Sequence, residues 1–161
     1  MPQLPPPLTT ELVDYVERAA SILVGSADAS LVPDCVRGVG VRVAASGARV
    51  TVLVPTAIVG HTLANLRSNP RLAITTAALP TFATVQVKGT VIAIRDGDDG
   101  DRALAARYQA RFADEFAWAG RDVTRARRIA IWPLTALDVD VTAIFTAAPD
   151  PFARDDHPDR R

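Results

Sequence analysis

Two arginines, Arg37 and Arg42, flank the run Gly38-Val39-Gly40-Val41. A guanidinium fork binds phosphate through two parallel hydrogen bonds, so such a pair can act as an oxyanion clamp. Five residues apart on a regular strand, the two would face opposite sides. They converge only if the strand is irregular between them, and Gly38 and Gly40 permit a bulge or a close ligand approach. The plainer alternative is one edge arginine and one solvated arginine. Gln86 and Lys88 form a second candidate pair, an amide and an ammonium two residues apart on one face of an alternating apolar run. They either address a ligand or line the solvent side of a strand.

Lys88 is the sole lysine among 18 basic residues, the rest being arginine. With abundant Ala and Val, that bias points to a high-GC bacterial genome, in which most arginines carry no functional message. A solitary lysine within an apolar strand therefore stands out. His61 and Thr62 precede a short apolar-periodic segment. Thr62 can cap that helix, or join its free N–H groups in holding a phosphate. His61 has no companion set of metal ligands, so no metal site is expected. Cys35 lacks a nearby partner for nucleophilic chemistry and is expected to be a buried structural thiol. Arg121, Arg125, Arg127 and Arg128 are interleaved with Asp114, Glu115 and Asp122, which suits ion pairs on a solvated face better than a nucleic-acid surface.

These residues need elements to position them. Four prolines before residue 8 make residues 1–8 an extended arm, and a folded domain is expected over 9–148 with a polar tail over 149–161. A helix capped by Thr9 or Thr10 carries Leu12, Val16 and Ala20 at helical spacing and ends near Ala20. Strands are expected over 21–26, 36–43, 49–55, 71–76, 84–94, 128–132 and 137–145, with a turn at Ala45-Ser46-Gly47. In the 84–94 run, Val85, Val87 and Val91 take one face and Thr84, Gln86, Lys88 and Thr90 the other. A short helix over 62–69 turns Leu63 and Leu66 inward and is stopped by Pro70. The acidic turn 96–101 opens a helix over 101–118 whose stripe is Leu104, Tyr108, Phe112 and Phe116. That stripe, with Trp118 and Trp132, belongs to the core or to a dimer interface. Short strands, three helices and no regular βαβ alternation predict a mainly β fold, a small barrel with peripheral helices. Gly38-Val39-Gly40 lacks the third glycine of a dinucleotide fingerprint.

The whole chain sets the outer limits. It has 161 residues, 18 basic and 18 acidic, and is 48% hydrophobic, which fits one domain with a real core and excludes global disorder. Zero net charge argues against a nucleic-acid binder, and no apolar run approaches the roughly 20 residues of a membrane helix. No basic start or apolar h-region is visible at the N-terminus, and a single cysteine permits no intrachain disulfide. The expectation is a cytoplasmic domain.

In order and spacing, four segments resemble the FMN-binding split-barrel family typified by pyridoxamine 5′-phosphate oxidase. They are Val24-Gly25-Ser26-Ala27-Asp28; the segment from Val36 to Arg42; the run Thr62-Leu63-Ala64-Asn65-Leu66-Arg67-Ser68-Asn69-Pro70 with Arg71-Leu72-Ala73-Ile74; and Val85-Gln86-Val87-Lys88-Gly89-Thr90-Val91. Ile144-Phe145 with Pro149-Asp150-Pro151 adds a late similarity. The resemblance implies a split β-barrel and a homodimer with cofactor sites at its interface. It also implies FMN bound by Arg37, Val39, Arg42, His61, Thr62, Gln86 and Lys88. The activity implied is flavin-dependent oxidoreduction of a small molecule. Departures accompany it. The family's basic pair at the start of the short helix falls on His61 and Thr62, its second-strand lysine on Arg42, and its strand glutamine on Thr84. The C-terminal arginine and histidine by which true pyridoxamine phosphate oxidases hold substrate are not recognisable. Oxidation of pyridoxamine phosphate itself is therefore not expected. A carrier or sensor for flavin, deazaflavin or haem, with His61 the candidate haem ligand, or a relative without cofactor, stands as the alternative.

Overall fold

A computed structural model describes residues 3–4, 6–78 and 83–147, with side chains from residue 6 onward. The tail beyond 147, with Pro149-Asp150-Pro151, lies outside the described residues. Eight strands and four helices follow in the order β1 (Gln3–Leu4), α1 (Thr10–Arg18), β2 (Ser21–Ala27), β3 (Pro33–Arg37), β4 (Val41–Val43), β5 (Arg49–Pro55), α2 (Gly60–Ser68), β6 (Arg71–Ala77), β7 (Thr84–Asp96), α3 (Asp99–Trp118), α4 (Val123–Arg127) and β8 (Leu134–Ala147).

Every described strand pair is antiparallel, and the sheet runs β3-β2-β6-β7-β8-β5-β4 with β1 on the far half of β8. Its two terminal strands are consecutive in the chain. The connecting residues 38–40 tie them together: the Gly38 N–H donates to Ile22 O at 3.0 Å, and the Val39 N–H donates to Leu53 O at 2.8 Å. The Leu53 N–H returns a bond to Gly40 O at 2.9 Å, so the sheet closes on itself. The expected strand over 36–43 is thus two strands and a crossing. Its glycines serve packing rather than ligand approach. A Cβ on Gly38 would stand 2.5 Å from Ile22 Cγ2, and one on Gly40 3.1 Å from Leu53 Cδ1.

Strict alternation fills the barrel. Ile22, Val24, Val50, Ile74, Val85 and Val87 point inward and are almost wholly buried. Leu53, on the opposite face of β5, is also buried, because α3 covers that side through Leu104. Tyr108 and Phe112 stack at 5.9 Å in the same layer, as their helical spacing predicts. The result is a split β-barrel, mainly β with peripheral helices. No described helix is long and apolar enough to cross a membrane.

Four expectations change. Residues 128–132 form no strand: α4 precedes them, and Gln109 Nε2 takes the carbonyls of Arg127 and Ile129 that a ladder would need. Cys35 is exposed, because alternation on edge strand β3 sends Val36 toward the core and Cys35 outward. Of the two places expected for Trp118 and Trp132, the core is excluded, since they are 67% and 43% exposed with the latter under Arg102, and the dimer interface is what is left. Finally, α1 stops at Arg18, two residues short of Ala20, because the backbone at Ala19 is already extended on its way into β2.

Candidate functional site

The ladder registers place side chains in rows on the outer face of the sheet. One row runs Cys35, Gly25, Ala73, Lys88 and Ala143; the next runs Arg37, Leu23, Thr75, Gln86 and Phe145. Gly25 and Ala73 raise nothing above the sheet beyond a methyl group. Beside them Lys88 is exposed, its Nζ 4.7 Å from the Phe145 ring centroid. Between them opens a hollow of about 610 Å³, whose polar walls are Ser26, Asn69, Arg71, Lys88, Thr90 and Thr142. Among the described residues no carboxylate lines it.

The floor depends on Gly89. Here β7 shifts register against β8, and a Cβ on this residue would stand 2.2 Å from Asp140 O. The bulge lets β7 continue to Asp96 while Lys88 keeps to the outer face. In the neighbouring row Gln86 Nε2 donates to Thr75 Oγ1 at 2.9 Å, which leaves the Gln86 carbonyl oxygen turned away from that bond.

The two arginines of the second candidate strand do not converge on a common point. Both are drawn to α3. Arg37 lies 4.9 Å over the Phe112 ring and donates to Tyr108 Oη at 3.4 Å. Burial pushes the Tyr108 phenol above its ordinary range, against the opposing pull of the Arg37 hydrogen bond. Arg42 Nη2 meets Asp101 Oδ1 at 3.1 Å. The Asp101 side chain is wholly buried, and its other oxygen receives Arg95 and the Asp98 N–H, closing the capping box of α3. Burial alone would raise the Asp101 carboxyl. The Arg95 and Asp98 hydrogen bonds and the charges of Arg95 and Arg42 outweigh it and hold the group below its ordinary value.

Other sequence candidates are also apart from the hollow. Val39 is buried in the crossing. Thr62, inside α2, is fully buried and donates to Asp34 Oδ2 at 3.0 Å, joining the helix to β3. His61 is exposed on the first turn of α2. Of the residues expected from sequence, Lys88 lines the hollow and Gln86 and Arg37 occupy the adjoining row. Asn69, Arg71 and Thr90 were not expected there. Alternation along β7 puts Thr90 on the face of Lys88, and cross-strand register, Arg71 against Thr90 and Ala73 against Lys88, brings in Arg71.

Comparison with solved structures shows the same fold at low sequence identity. A Lactobacillus delbrueckii protein, provisionally assigned as a pyridoxamine 5′-phosphate oxidase, superposes with a TM-score of 0.58 at 16% identity, over 90% of this chain and 99% of that one. An F420 reductase gives 0.50 at 16% identity, over 82% and 94%. An FMN-binding protein from Syntrophomonas wolfei gives 0.50 at 13%, over 86% and 88%. Comparison with curated proteins gave no match. The sequence itself matches the pyridoxamine 5′-phosphate oxidase family over residues 8–146. With the barrel closure and element order above, that match places the chain in the pyridoxamine 5′-phosphate oxidase family.

Proposed function

We propose that this protein binds FMN on the outer sheet face and serves as a flavin-dependent oxidoreductase for a small molecule. The observation that carries the reading is the hollow above Gly25 and Ala73. It is floored by small residues, flanked by the one lysine of the chain, and lined by no carboxylate among the described residues. A flat ring system can lie on such a floor without clash, and the positive charge of Lys88 favours an anionic, electron-accepting guest. The Gln86 carbonyl oxygen suits a ring N–H donor, and Lys88 suits a ring or chain oxygen. The flavin would carry the hydride or electron, and the protein would bind and orient it. The S. wolfei FMN-binding protein and the F420 reductase support the general reading that this fold holds flavin-type cofactors. A deazaflavin is thus the nearest alternative guest.

A homodimer belongs to the same proposal. The hollow is open on one side, and Leu23, in the row beside it, is 42% exposed, so a second copy laid on this face would cover both. Arg42, Val39, His61 and Thr62 are left out of the ligand contacts, since all four lie away from the hollow. Among the described residues a haem reading would rest on His61.

One observation favours a second reading, binding without turnover. Among the described residues the lining contains no histidine, carboxylate, tyrosine or thiol, so Lys88 is its one titratable group besides an arginine. An absorption spectrum of the purified protein, taken before and after FMN addition and again after gel filtration, tests the proposal. Flavin bands that co-elute with the protein support it. Absence of binding to FMN with retention of F420 would move the assignment to a deazaflavin, and binding of neither would overturn it. Reduction of the bound flavin by a candidate donor separates enzyme from carrier, and sedimentation gives the oligomeric state.

A further inference from the structure

Among the described residues, three of the five strand arginines are neutralised by carboxylates, and a fourth, Arg37, is taken up by Phe112 and Tyr108. Arg42 is held by Asp101, Arg49 by Asp140 at 2.8 Å, and Arg95 by Asp98 and Asp101. Arg71 and Lys88 differ. Both are exposed, both line the hollow, and neither has a described carboxylate within ion-pair distance. Their positions in the ladder make them diagonal neighbours, because Arg71 stands opposite Thr90 and Lys88 opposite Ala73. Diagonal pairs on adjacent strands lie about 7–8 Å apart, within reach of two long cationic side chains. Asp140, the acidic residue next along the Arg71–Thr90 row, is occupied by Arg49. The Phe145 ring beside Lys88 positions the ammonium without cancelling its charge.

Two neutral donors complete this corner. Asn69 Oδ1 accepts the Arg71 backbone N–H at 3.3 Å, which leaves its amide nitrogen as a donor, and Thr90 offers a hydroxyl. A carboxylate has two oxygens for such a donor set, whereas a phosphate monoester presents three terminal oxygens and close to two charges. We infer that the β6–β7 corner formed by Asn69, Arg71, Lys88 and Thr90 is a phosphate-monoester site that holds the anionic end of the ligand. The start of α2 and the pair Arg37 and Arg42 do not perform that task. The inference rests on the proposed outer-face binding but specifies its polarity. The phosphate sits at Arg71 and Lys88, and the ring extends along the strands toward Gln86 and Leu23.

The solitary lysine supplies the assay. Protein labelled with [13C]lysine gives one set of lysine side-chain signals, that of Lys88, and inorganic phosphate is titrated against a chloride series of equal ionic strength. The expected result is a saturable shift with phosphate, absent with chloride and weakened about tenfold in Arg71→Gln, as loss of one charge-assisted contact implies. In parallel, FMN and riboflavin affinities are compared in wild type, Arg71→Gln, Lys88→Gln and Arg42→Gln, each confirmed as folded by circular dichroism. A preference for FMN that collapses in the first two variants and survives in Arg42→Gln supports the assignment. A preference that survives in the first two and collapses in Arg42→Gln overturns it while leaving flavin binding intact. If neither flavin binds, the functional reading fails. The phosphate titration then decides the anion corner alone, a shift supporting it and no shift overturning it.

Discussion

Asp101 links three elements, and replacing it with asparagine tests whether the second-strand arginine serves the fold or a ligand. Its fully buried carboxylate receives Arg95 from β7, Arg42 from β4 and the Asp98 N–H at the start of α3. A charge-assisted hydrogen bond such as the one from Arg95 contributes about 1.5–3 kcal/mol. Arg42 is nearly half exposed, and its pair adds under about 1 kcal/mol. The cap bond contributes about 1 kcal/mol. Asp101→Asn keeps one acceptor but turns an amide N–H₂ toward a guanidinium, so the expected loss is about 3 kcal/mol. With a urea slope near 2 kcal/mol per molar, the midpoint falls by roughly 1.5 M. Far-UV circular dichroism is the appropriate probe, because both tryptophans are largely exposed and report weakly on unfolding.

The pH dependence sharpens this test. The folded Asp101 carboxyl lies below its ordinary value, so its contribution is fully present above the unfolded pKa of about 3.9. It fades as pH falls from there through the folded value. The gap between wild type and Asp101→Asn should therefore be constant from pH 7 to about 5 and narrow below pH 4. A midpoint change under about 0.3 M, or a gap unchanged down to pH 3, would refute the assignment of Asp101 as a charged hub. Flavin affinity supplies the functional arm. If Arg42 serves α3, the variant binds FMN as wild type does; tighter binding on release of Arg42 would restore that arginine to the ligand.

Three further outcomes follow from local geometry. Gly89→Ala forces a methyl group into the Asp140 carbonyl and should cost about 3 kcal/mol, lowering the melting temperature by roughly 10 °C in a scanning calorimeter. Thr62→Val preserves shape but removes the bond to Asp34, a loss of about 1 kcal/mol in urea titrations with no change in FMN affinity. Tyr108 has a raised pKa, so its contribution is whole below about pH 10 and is lost as pH rises beyond that; Tyr108→Phe should blunt alkaline unfolding followed by circular dichroism.

Local pattern made much of the barrel legible. Alternation of Arg49-Val50-Thr51-Val52 located β5 to the residue, and Asn69-Pro70 marked the boundary between α2 and β6. The even spacing of Leu104, Tyr108 and Phe112 identified the buried stripe of α3. Errors arose where a distant partner decides. Residues 128–132 look like a strand until Gln109, some twenty positions upstream, claims the carbonyls of Ile129 and of Arg127 just before it. Cys35 is typical of a buried type, yet parity on an edge strand turns it outward. Spacing placed Arg37 and Arg42 on possible faces but gave no view of Asp101 or Phe112, which stand some sixty and seventy-five residues away. Arg71 gives no local sign of a ligand role, because its neighbour in space is Lys88 and the strand register is what joins them.

The proposed anion corner also bears on how the family's fold can be kept if its ligand contacts move. The resemblance implies a basic pair where α2 begins, yet this chain has His61 and Thr62, and Thr62 is spent on Asp34. An anion left at that end would find a buried hydroxyl already donating elsewhere and one exposed imidazole, a poor match for a phosphate dianion. The β6–β7 corner offers two unneutralised cations within the same outer-face hollow, and the rows between them and Gln86 remain open. Because the inward-facing residues specify the barrel independently of the outer face, exchanging outward side chains leaves the core untouched. Cations can therefore shift along the sheet without loss of fold.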